Sequence, residues 1–365
     1  MRSILTRHKS LHLWLLADLL LLAAFRLLLC FPAALERFAA GSAALRQGLG
    51  RLCALVPFSV MEGLCILLVC AAILYLCVSI LVILRASRER GHRAYSALLG
   101  AVCAGLTLYL GFCALWGVHY YTTPFPEQFG LEEQPVSVEE LASVTAYFAQ
   151  QLSESADSVP RDAQGRFAAD RQEILQESVH VYDTLEERYP FLRFEDTGVK
   201  PVHFSRVMSA LDFTGVYCPF TGESNVNMDA PACFLPATAA HELAHQRSIA
   251  SEQACNFLAV LACTTSGNQV YAYSGWLKGY VNLNNALYGV APEQSRAIRA
   301  TLPATVLADL EENNAYWEQF HASPATAISN QVYEGFLKSY GVEEGLASYG
   351  MVVDLLVAYY AEEIP

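Results

Sequence analysis

Two histidines and a glutamate at residues 241–245, which read HELAH, are the part of the sequence best suited to chemistry. Residues four apart share one face of a helix and lie about 6 Å apart along its axis, so both imidazoles can bind one Zn²⁺ ion. Glu242 would lie beside the open coordination position, where its carboxylate can take a proton from zinc-bound water. The spacing predicts His241 and His245 as zinc ligands and Glu242 as a general base. An ordinary helix face carrying these three side chains is the alternative.

A catalytic zinc usually takes a third protein ligand, and Glu252 is the best candidate. On one continuous helix, Glu252 would lie about 10 Å beyond His245 along the axis, too far to bind the same ion. The sequence therefore predicts that the helix ends between Gln246 and Ser251, with Ser251 as the N-cap of a second helix that begins at Glu252. A first-turn glutamate that complements the helix dipole is the alternative interpretation of Glu252.

Asn256 and Tyr349 are candidates for supporting roles. Asn256 follows Glu252 by one helical turn, so its amide can hydrogen-bond the outer nitrogen or the carboxylate of a ligand. The Tyr349 hydroxyl can donate to a tetrahedral oxyanion, with ordinary packing as the alternative for one of nineteen tyrosines. Cys218 and Cys233 can pair as a disulfide if this part of the chain lies outside the cell, or remain buried thiols.

The elements that would position these residues are mostly helical. Pro236 suits the first turn of the helix that carries residues 241–245. Between residues 197 and 236, apolar residues mix with Gly, Pro and Asn, which indicates short strands and ordered loops. The apolar runs 255–263 and 351–361 are too short to cross a bilayer, so we expect buried helices there. The sequence predicts a mainly α domain with a small strand and loop region before the candidate zinc helix.

The N-terminal third is much more apolar than the rest. The whole chain has 54% hydrophobic and only 16% charged residues, against roughly 25% charged residues in a typical soluble domain. Three stretches, 11–31, 57–84 and 95–120, reach the about 20 residues that a transmembrane helix needs. Asp18 lies inside the first stretch, and we expect it to face the interior of the bundle. A cleaved signal peptide ending near residues 39–41 is the alternative for the first stretch.

Charge divides the chain at the same place. Residues 1–116 hold eleven Lys and Arg and four Asp and Glu, so this part is basic. Residues 117–365 hold twelve Lys and Arg and thirty-two Asp and Glu, so this part is acidic. The positive-inside rule places the N-terminus and the arginine-rich residues 85–93 in the cytoplasm, and three spans then place the acidic part outside. We therefore expect a membrane domain over 1–121, a linker over 122–136 and an extracytoplasmic domain over 137–365.

The run of residues around 241–259 resembles that of a bacterial membrane family known as domain of unknown function 3810, whose members are similar to zincin metallopeptidases. The resemblance rests on HELAHQR at 241–247, followed by Glu252 and by NFLA at 256–259. It extends over most of residues 200–361, with further matching runs at 217–227, 273–275 and 348–350. The spacing of Glu252 and Asn256 is similar to that of gluzincins, which implies that Glu252 is a zinc ligand and that the domain is zincin-like.

Two departures from the family pattern lie close to the candidate ligands. Ser248 stands where the family has Gly, and Gln253 and Ala254 stand where it has an acidic pair. A serine in the left-handed conformation costs on the order of 1 kcal/mol relative to glycine. Neither change removes a candidate ligand, so the departures bear on catalytic competence more than on metal binding.

The expected function is that of a membrane-anchored zinc metallopeptidase in a bacterial cell membrane. Its expected partners are the lipid bilayer and a peptide or protein substrate, with no nucleic acid. A non-catalytic zinc-binding sensor or scaffold, or a zinc hydrolase of a non-peptide envelope amide, is the alternative. The sequence has no glycine-rich phosphate loop, no Gly-x-Ser-x-Gly elbow and no CxxC pair. Nucleotide binding, serine hydrolysis and thioredoxin-like redox chemistry therefore have no support.

Overall fold

A computed structural model of the chain describes residues 6–86, 88–131, 136–321, 324–340 and 352–361. The fold is mainly helical, with 75% helix and 4% strand, which confirms the predicted class at that level. The chain divides into two compact units. Unit 1 comprises Met1–Leu49, Val60–Thr122 and Pro219–Thr221, and unit 2 comprises Gly50–Ser59, Thr123–Cys218 and Gly222–Pro365. The domain boundaries given above stay a prediction.

Three helices near the N-terminus are long and apolar enough to cross a membrane. They are α1 (Lys9–Leu28), α3 (Val60–Arg85) and α4 (Arg90–Leu115). These helices correspond to the three predicted spans, at about 11–31, 57–84 and 95–120. A new helix begins at Pro32, and after α4 Trp116 leaves the helical conformation before a 3₁₀ turn at Gly117–Tyr121.

A further helix, α2 (Pro32–Cys53), was not predicted from the sequence. Its mixture of charged and apolar residues does not form the long apolar run expected of a transmembrane helix. Pro32 at its first position is compatible with a helix start, since the missing N–H has no intrahelical partner there.

Asp18 of α1 is buried, with 4% of its surface exposed. Thr107 of α4 donates a hydrogen bond to Asp18 Oδ2 at 3.1 Å and accepts one from Trp14 Nε1 at 2.9 Å. The prediction that Asp18 faces the helix bundle is confirmed. A polar link of this kind between apolar helices removes the cost of an unpaired carboxyl group at this position.

Unit 2 surrounds a small three-stranded sheet with helices. The strands are β1 (Val199–Val202), β2 (Gly215–Cys218) and β3 (Glu223–Asn227), in the order β1-β3-β2, with β1 parallel and β2 antiparallel to β3. The strands lie within the segment predicted to contain them. The helices are α5 (Phe125–Phe129), α6 (Val138–Ser155), α7 (Arg171–Glu177), α8 (Asp183–Arg188), α9 (Ser205–Ala210), α10 (Leu235–Gln246), α11 (Glu252–Thr265), α12 (Gln269–Val290), α13 (Pro292–Arg299), α14 (Ala304–His321), α15 (Pro324–Ser339) and α16 (Val352–Tyr360).

The core of unit 2 is built around α11 and α12. Every residue from Ala254 to Cys263 on α11 is buried, as expected of a helix that is apolar on all sides. α12 packs against α6, α10 and α11, and α16 packs against α11 and α12. The predicted buried helices at 255–263 and 351–361 are confirmed within the described residues. Phe125 and Phe129 of α5, from the segment predicted as a linker, also belong to this core.

Gly275 lets α12 approach α11 closely. A Cβ atom at this position would lie 2.6 Å from Cys263 Cβ and 3.1 Å from the Val260 carbonyl oxygen. Both neighbours belong to the buried helix α11, and the carbonyl is part of its backbone, so neither can move aside without a shift of the helix.

We expect Gly275→Ala to lower the free energy of unfolding by about 1–3 kcal/mol, because the added methyl group overpacks the α11–α12 contact. Gly289→Ala on the same helix is the matched control, since nothing lies within 4 Å of a Cβ atom there, and alanine should be neutral or stabilising by up to about 1 kcal/mol. Thermal unfolding of the full-length chain in detergent measures both. Equal effects of the two substitutions would contradict the packing argument.

Candidate metal centre

The two candidate histidine ligands lie on α10, which packs against the sheet. Pro236 is in the first turn of this helix, as predicted. The ring centroids of His241 and His245 are 4.9 Å apart. Ser224 of β3 donates a hydrogen bond to the Glu242 carbonyl oxygen at 2.7 Å. The sheet therefore fixes the axial position of the helix at the residue between the two histidines.

The chain reverses direction immediately after α10. The Ser248 amide donates to the His245 carbonyl at 2.9 Å and the Ile249 amide to the Ala244 carbonyl at 3.3 Å, with Ser248 at φ 72°. These two bonds around a left-handed residue form a Schellman motif, in which glycine is the usual residue. The predicted end of the helix between Gln246 and Ser251 is confirmed.

The reversal brings Glu252 back to the histidines. α11 begins at Glu252, and Ser251 caps it by accepting a hydrogen bond from the Ala254 amide at 3.3 Å. Glu252 Oε2 lies 3.1 Å from His241 Nε2, and Oε1 lies 3.5 Å from His245 Nε2. The candidate ligand atoms of the three residues all lie within 4.8 Å of one another. Two imidazoles and one carboxylate at this spacing fit the donor set of a zinc site that keeps an open position.

Both histidines are oriented by hydrogen bonds to their outer nitrogens. His241 Nδ1 lies 3.2 Å from Asn256 Oδ1, and His245 Nδ1 lies 2.8 Å from the Ile249 carbonyl oxygen. An oxygen acceptor at Nδ1 favours the tautomer whose Nε2 lone pair is available to a metal. Asn256 is thus in the position predicted for it. Cys255 Sγ is also near His245 Nδ1, at 3.3 Å, on the side away from Glu252.

Electrostatics keep Glu252 ionised. Burial raises its pKa, but His245 and His241 outweigh burial and hold the pKa well below the usual value. Burial lowers the pKa of His241, and Glu252 opposes this shift. Burial also acts to lower the pKa of His245, but Cys255 and Glu252 raise it well above the usual value. An ionised carboxylate beside two imidazoles attracts a cation, and a metal ion would displace a proton on binding.

Glu242 is buried, with 4% of its surface exposed, and its Oε2 atom has no hydrogen-bond partner among the described residues. Burial raises its pKa to about 8, against the opposing effect of His245. Gly215 of β2 lies directly opposite, where a Cβ atom would be 2.8 Å from Glu242 Cδ. A buried carboxylate oxygen without a partner is uncommon in folded proteins and calls for an explanation.

Two tyrosines that sequence reasoning missed lie beside these residues. The Tyr333 hydroxyl of α15 donates to Glu252 Oε1 at 2.6 Å, and the Tyr217 ring stacks on His245 with centroids 6.4 Å apart. No local pattern singles out Tyr333, which is 81 residues from Glu252. Tyr217 belongs to a run that carries the family resemblance, which is the one signal that points to it. Tyr349 lies outside the described residues.

Cys218 and Cys233, for which a disulfide and free thiols were both open, are free thiols in the structure. Cys233 is buried and Cys218 is partly buried. Burial raises the pKa of the Cys233 thiol well above its usual value.

The family whose model matches the chain is described as Protein of unknown function (DUF3810), and the match covers residues 43–357. The chain belongs to the DUF3810 family. No curated protein and no solved structure shows a significant match to the chain. The DUF3810 match includes all of the helices and strands that contribute candidate ligands.

Arg247 anchors the reversal after α10 in this DUF3810 chain. Its buried guanidinium donates to both carboxylate oxygens of Asp196 at 2.6 Å and to Glu186 Oε1 at 2.6 Å. It also donates to the Leu192 carbonyl at 3.0 Å and stacks on Tyr182, 3.8 Å from the ring centroid. The residue next to the left-handed Ser248 is therefore fixed to the segment that precedes β1.

Arg247→Met should lower the free energy of unfolding by about 3–5 kcal/mol, because it leaves two carboxylates without their buried cation. Arg296→Met is the matched control. Arg296 pairs with Glu293 at an exposed site, so its loss should cost less than about 1 kcal/mol. Chemical or thermal unfolding of the full chain gives both values, and a small effect at Arg247 would show that the turn is held by other contacts.

Ser248→Gly should stabilise the chain by about 1 kcal/mol, since glycine adopts a positive φ without a Cβ penalty. Ser251→Ala, three residues later, should have the opposite sign and cost about 1 kcal/mol through the lost N-cap. The pair of variants separates strain at the turn from capping of α11. Destabilisation by Ser248→Gly would contradict the strain argument.

Proposed function

We propose that this protein is a membrane-bound zinc metallopeptidase, with His241, His245 and Glu252 as metal ligands and a zincin-like arrangement in unit 2. The observation that carries the proposal is the return of Glu252 to both Nε2 atoms through a helix break. Residues on one straight helix could not meet in this way. The hydrogen bonds that orient the outer nitrogens of both histidines support the same assignment. So does Glu242 Oε2, which has no hydrogen-bond partner among the described residues.

Each residue has a distinct task in the proposed reaction. Bound Zn²⁺ would polarise a substrate carbonyl and acidify a water molecule. A cation held by the three ligands would lower the raised pKa of Glu242, so that its ionised carboxylate would accept the proton of the attacking water and deliver it to the leaving amine. Asn256 would hold His241, and the Ile249 carbonyl would hold His245, so that their Nε2 atoms stay directed at the ion. The Tyr333 hydroxyl would restrain the Glu252 carboxylate.

The edge of the sheet suits an extended peptide. β2 is an outer strand in the sheet order, and Gly215 lets it pass close to Glu242. A peptide that added to this edge as a further strand would present successive carbonyl groups beside the Glu242 carboxylate. This arrangement favours a peptide substrate over a small non-peptide amide.

The orientation of the chain in the membrane follows from the charge distribution and is part of the proposal. With the N-terminus in the cytoplasm, unit 2 would lie outside the cytoplasmic membrane. Protease added to intact spheroplasts should then cleave unit 2. Full protection of unit 2 under those conditions would reverse the orientation.

The metal and the general base are tested by two substitutions. Glu242→Gln should keep the zinc content of the purified chain and lower peptide hydrolysis by at least about 10²-fold, because it removes proton transfer but no ligand. His245→Ala should lose the zinc itself. Zinc per chain by elemental analysis and hydrolysis of a peptide library measure the two properties.

Glu293→Gln, at an exposed site on α13, is the control and should change neither property. Zinc-loaded wild-type protein that hydrolyses no peptide would overturn the peptidase proposal and favour the sensor or scaffold alternative. Wild-type protein that binds no zinc would overturn both.

A further inference from the structure

A cavity of about 180 Å³ in unit 2 is lined in part by residues that are close in sequence to the candidate metal centre. Thr238 of α10 contributes to its wall and precedes His241 by three residues and Glu242 by four, so it lies on the same helix face about one turn away. Thr214 also lines the cavity and directly precedes Gly215, which approaches Glu242. A group attached to the substrate near the reacting carbonyl could therefore enter this cavity.

Lys278 of α12 is the one charged residue among the described residues that line the cavity. It is partly buried, and within the described part of the chain it forms no hydrogen bond and no ion pair. Burial lowers the pKa of Lys278, and the negative charge of Glu252 opposes this shift. A partly buried cation without a partner is costly unless a ligand supplies the opposite charge.

Asn282 provides a second donor one turn further along α12. It lines the same cavity, and its Nδ2 atom is buried without a hydrogen-bond partner among the described residues. Residues four apart on a helix lie on one face, so the ammonium of Lys278 and the amide of Asn282 line one wall. Two neighbouring donors are complemented by a group that has only acceptors, and an ionised carboxylate is such a group.

We propose that this cavity is a subsite for a substrate carboxylate, bound by Lys278 and Asn282 next to the bond that is cleaved. The inference rests on the proposed peptidase function and gives it a substrate class, peptides with a carboxylate close to the scissile bond. The carboxylate can belong to the C-terminus of the peptide or to an Asp or Glu side chain. The cavity is large enough for one such group, since a cavity of about 150 Å³ already accepts benzene.

Two matched pairs of peptides separate these sources. N-acetyl-Ala-Ala-Ala and its C-terminal amide test the α-carboxylate, and the amides of N-acetyl-Ala-Glu-Ala and N-acetyl-Ala-Gln-Ala test the side chain. With full-length zinc-loaded protein, we expect the acidic member of one pair to have a KM about tenfold to a hundredfold lower than its neutral partner. A preference in the first pair assigns the α-carboxylate, and a preference in the second assigns the side chain.

In the pair of peptides that shows the preference, Lys278→Gln should bring the ratio of the two KM values close to one. Lys278→Arg should keep most of the preference, because it retains the positive charge. Lys338→Gln, at an exposed site on α15, is the control and should leave the ratio unchanged. A binding measurement that needs no turnover uses the Glu242→Gln variant loaded with zinc. Calorimetry should show tighter binding of the acidic peptide, and the difference should vanish when Lys278→Gln is added.

The outcomes distinguish the two proposals. The carboxylate subsite would be overturned if KM and binding were equal within both pairs of peptides. It would also be overturned if the preference for the acidic peptide survived Lys278→Gln. Either result would leave the peptidase proposal standing. Binding of the acidic peptide through Lys278 without hydrolysis of any peptide by the wild type would support the subsite and overturn the peptidase proposal.

Discussion

The chain reversal between α10 and α11 is the constraint on which the candidate centre depends. Without it, Glu252 would continue along the helix and could not approach the histidine Nε2 atoms. The reversal combines a left-handed residue, Ser248, with a buried guanidinium at Arg247 that two carboxylates and a tyrosine ring hold in place. Backbone strain at one residue is thus maintained by charge pairing at its neighbour, as expected where surrounding structure fixes an unfavourable conformation.

Two buried carboxylates in unit 2 show how the candidate site differs from the surrounding core. Asp309 is fully buried and accepts hydrogen bonds from Arg161 at 2.6 Å, from the Phe167 amide at 2.7 Å and from the Tyr273 hydroxyl. Its partners account for both oxygens. Glu242, which is almost as deeply buried, leaves Oε2 without a partner among the described residues. The fold can therefore satisfy a buried carboxylate when its role is structural, and the contrast favours a role in chemistry for Glu242.

Local sequence rules were sufficient for much of the site. The spacing of His241 and His245, the need for a break before Glu252 and the Ser251 cap are all consequences of helix geometry, and they could be predicted. The partners of Arg247, the Tyr333 hydroxyl and the Lys278 cavity depend on tertiary packing between segments far apart in sequence, which periodicity does not encode. α2 was missed for a different reason, because its mixed composition does not form the long apolar run expected in this third of the chain.

Only five residues, 247–251, connect the last residue of α10 to Glu252, and the candidate ligand atoms lie within 4.8 Å of one another. Arg247 and Ser248 lie inside this connection, and the helices at both of its ends are buried in the core of unit 2. One residue added or removed here would rotate α11 relative to α10 or break the contacts of Arg247, and either change would move Glu252 away from the histidines. We therefore expect the length of this connection to be fixed, although exposed loops generally tolerate insertions and deletions.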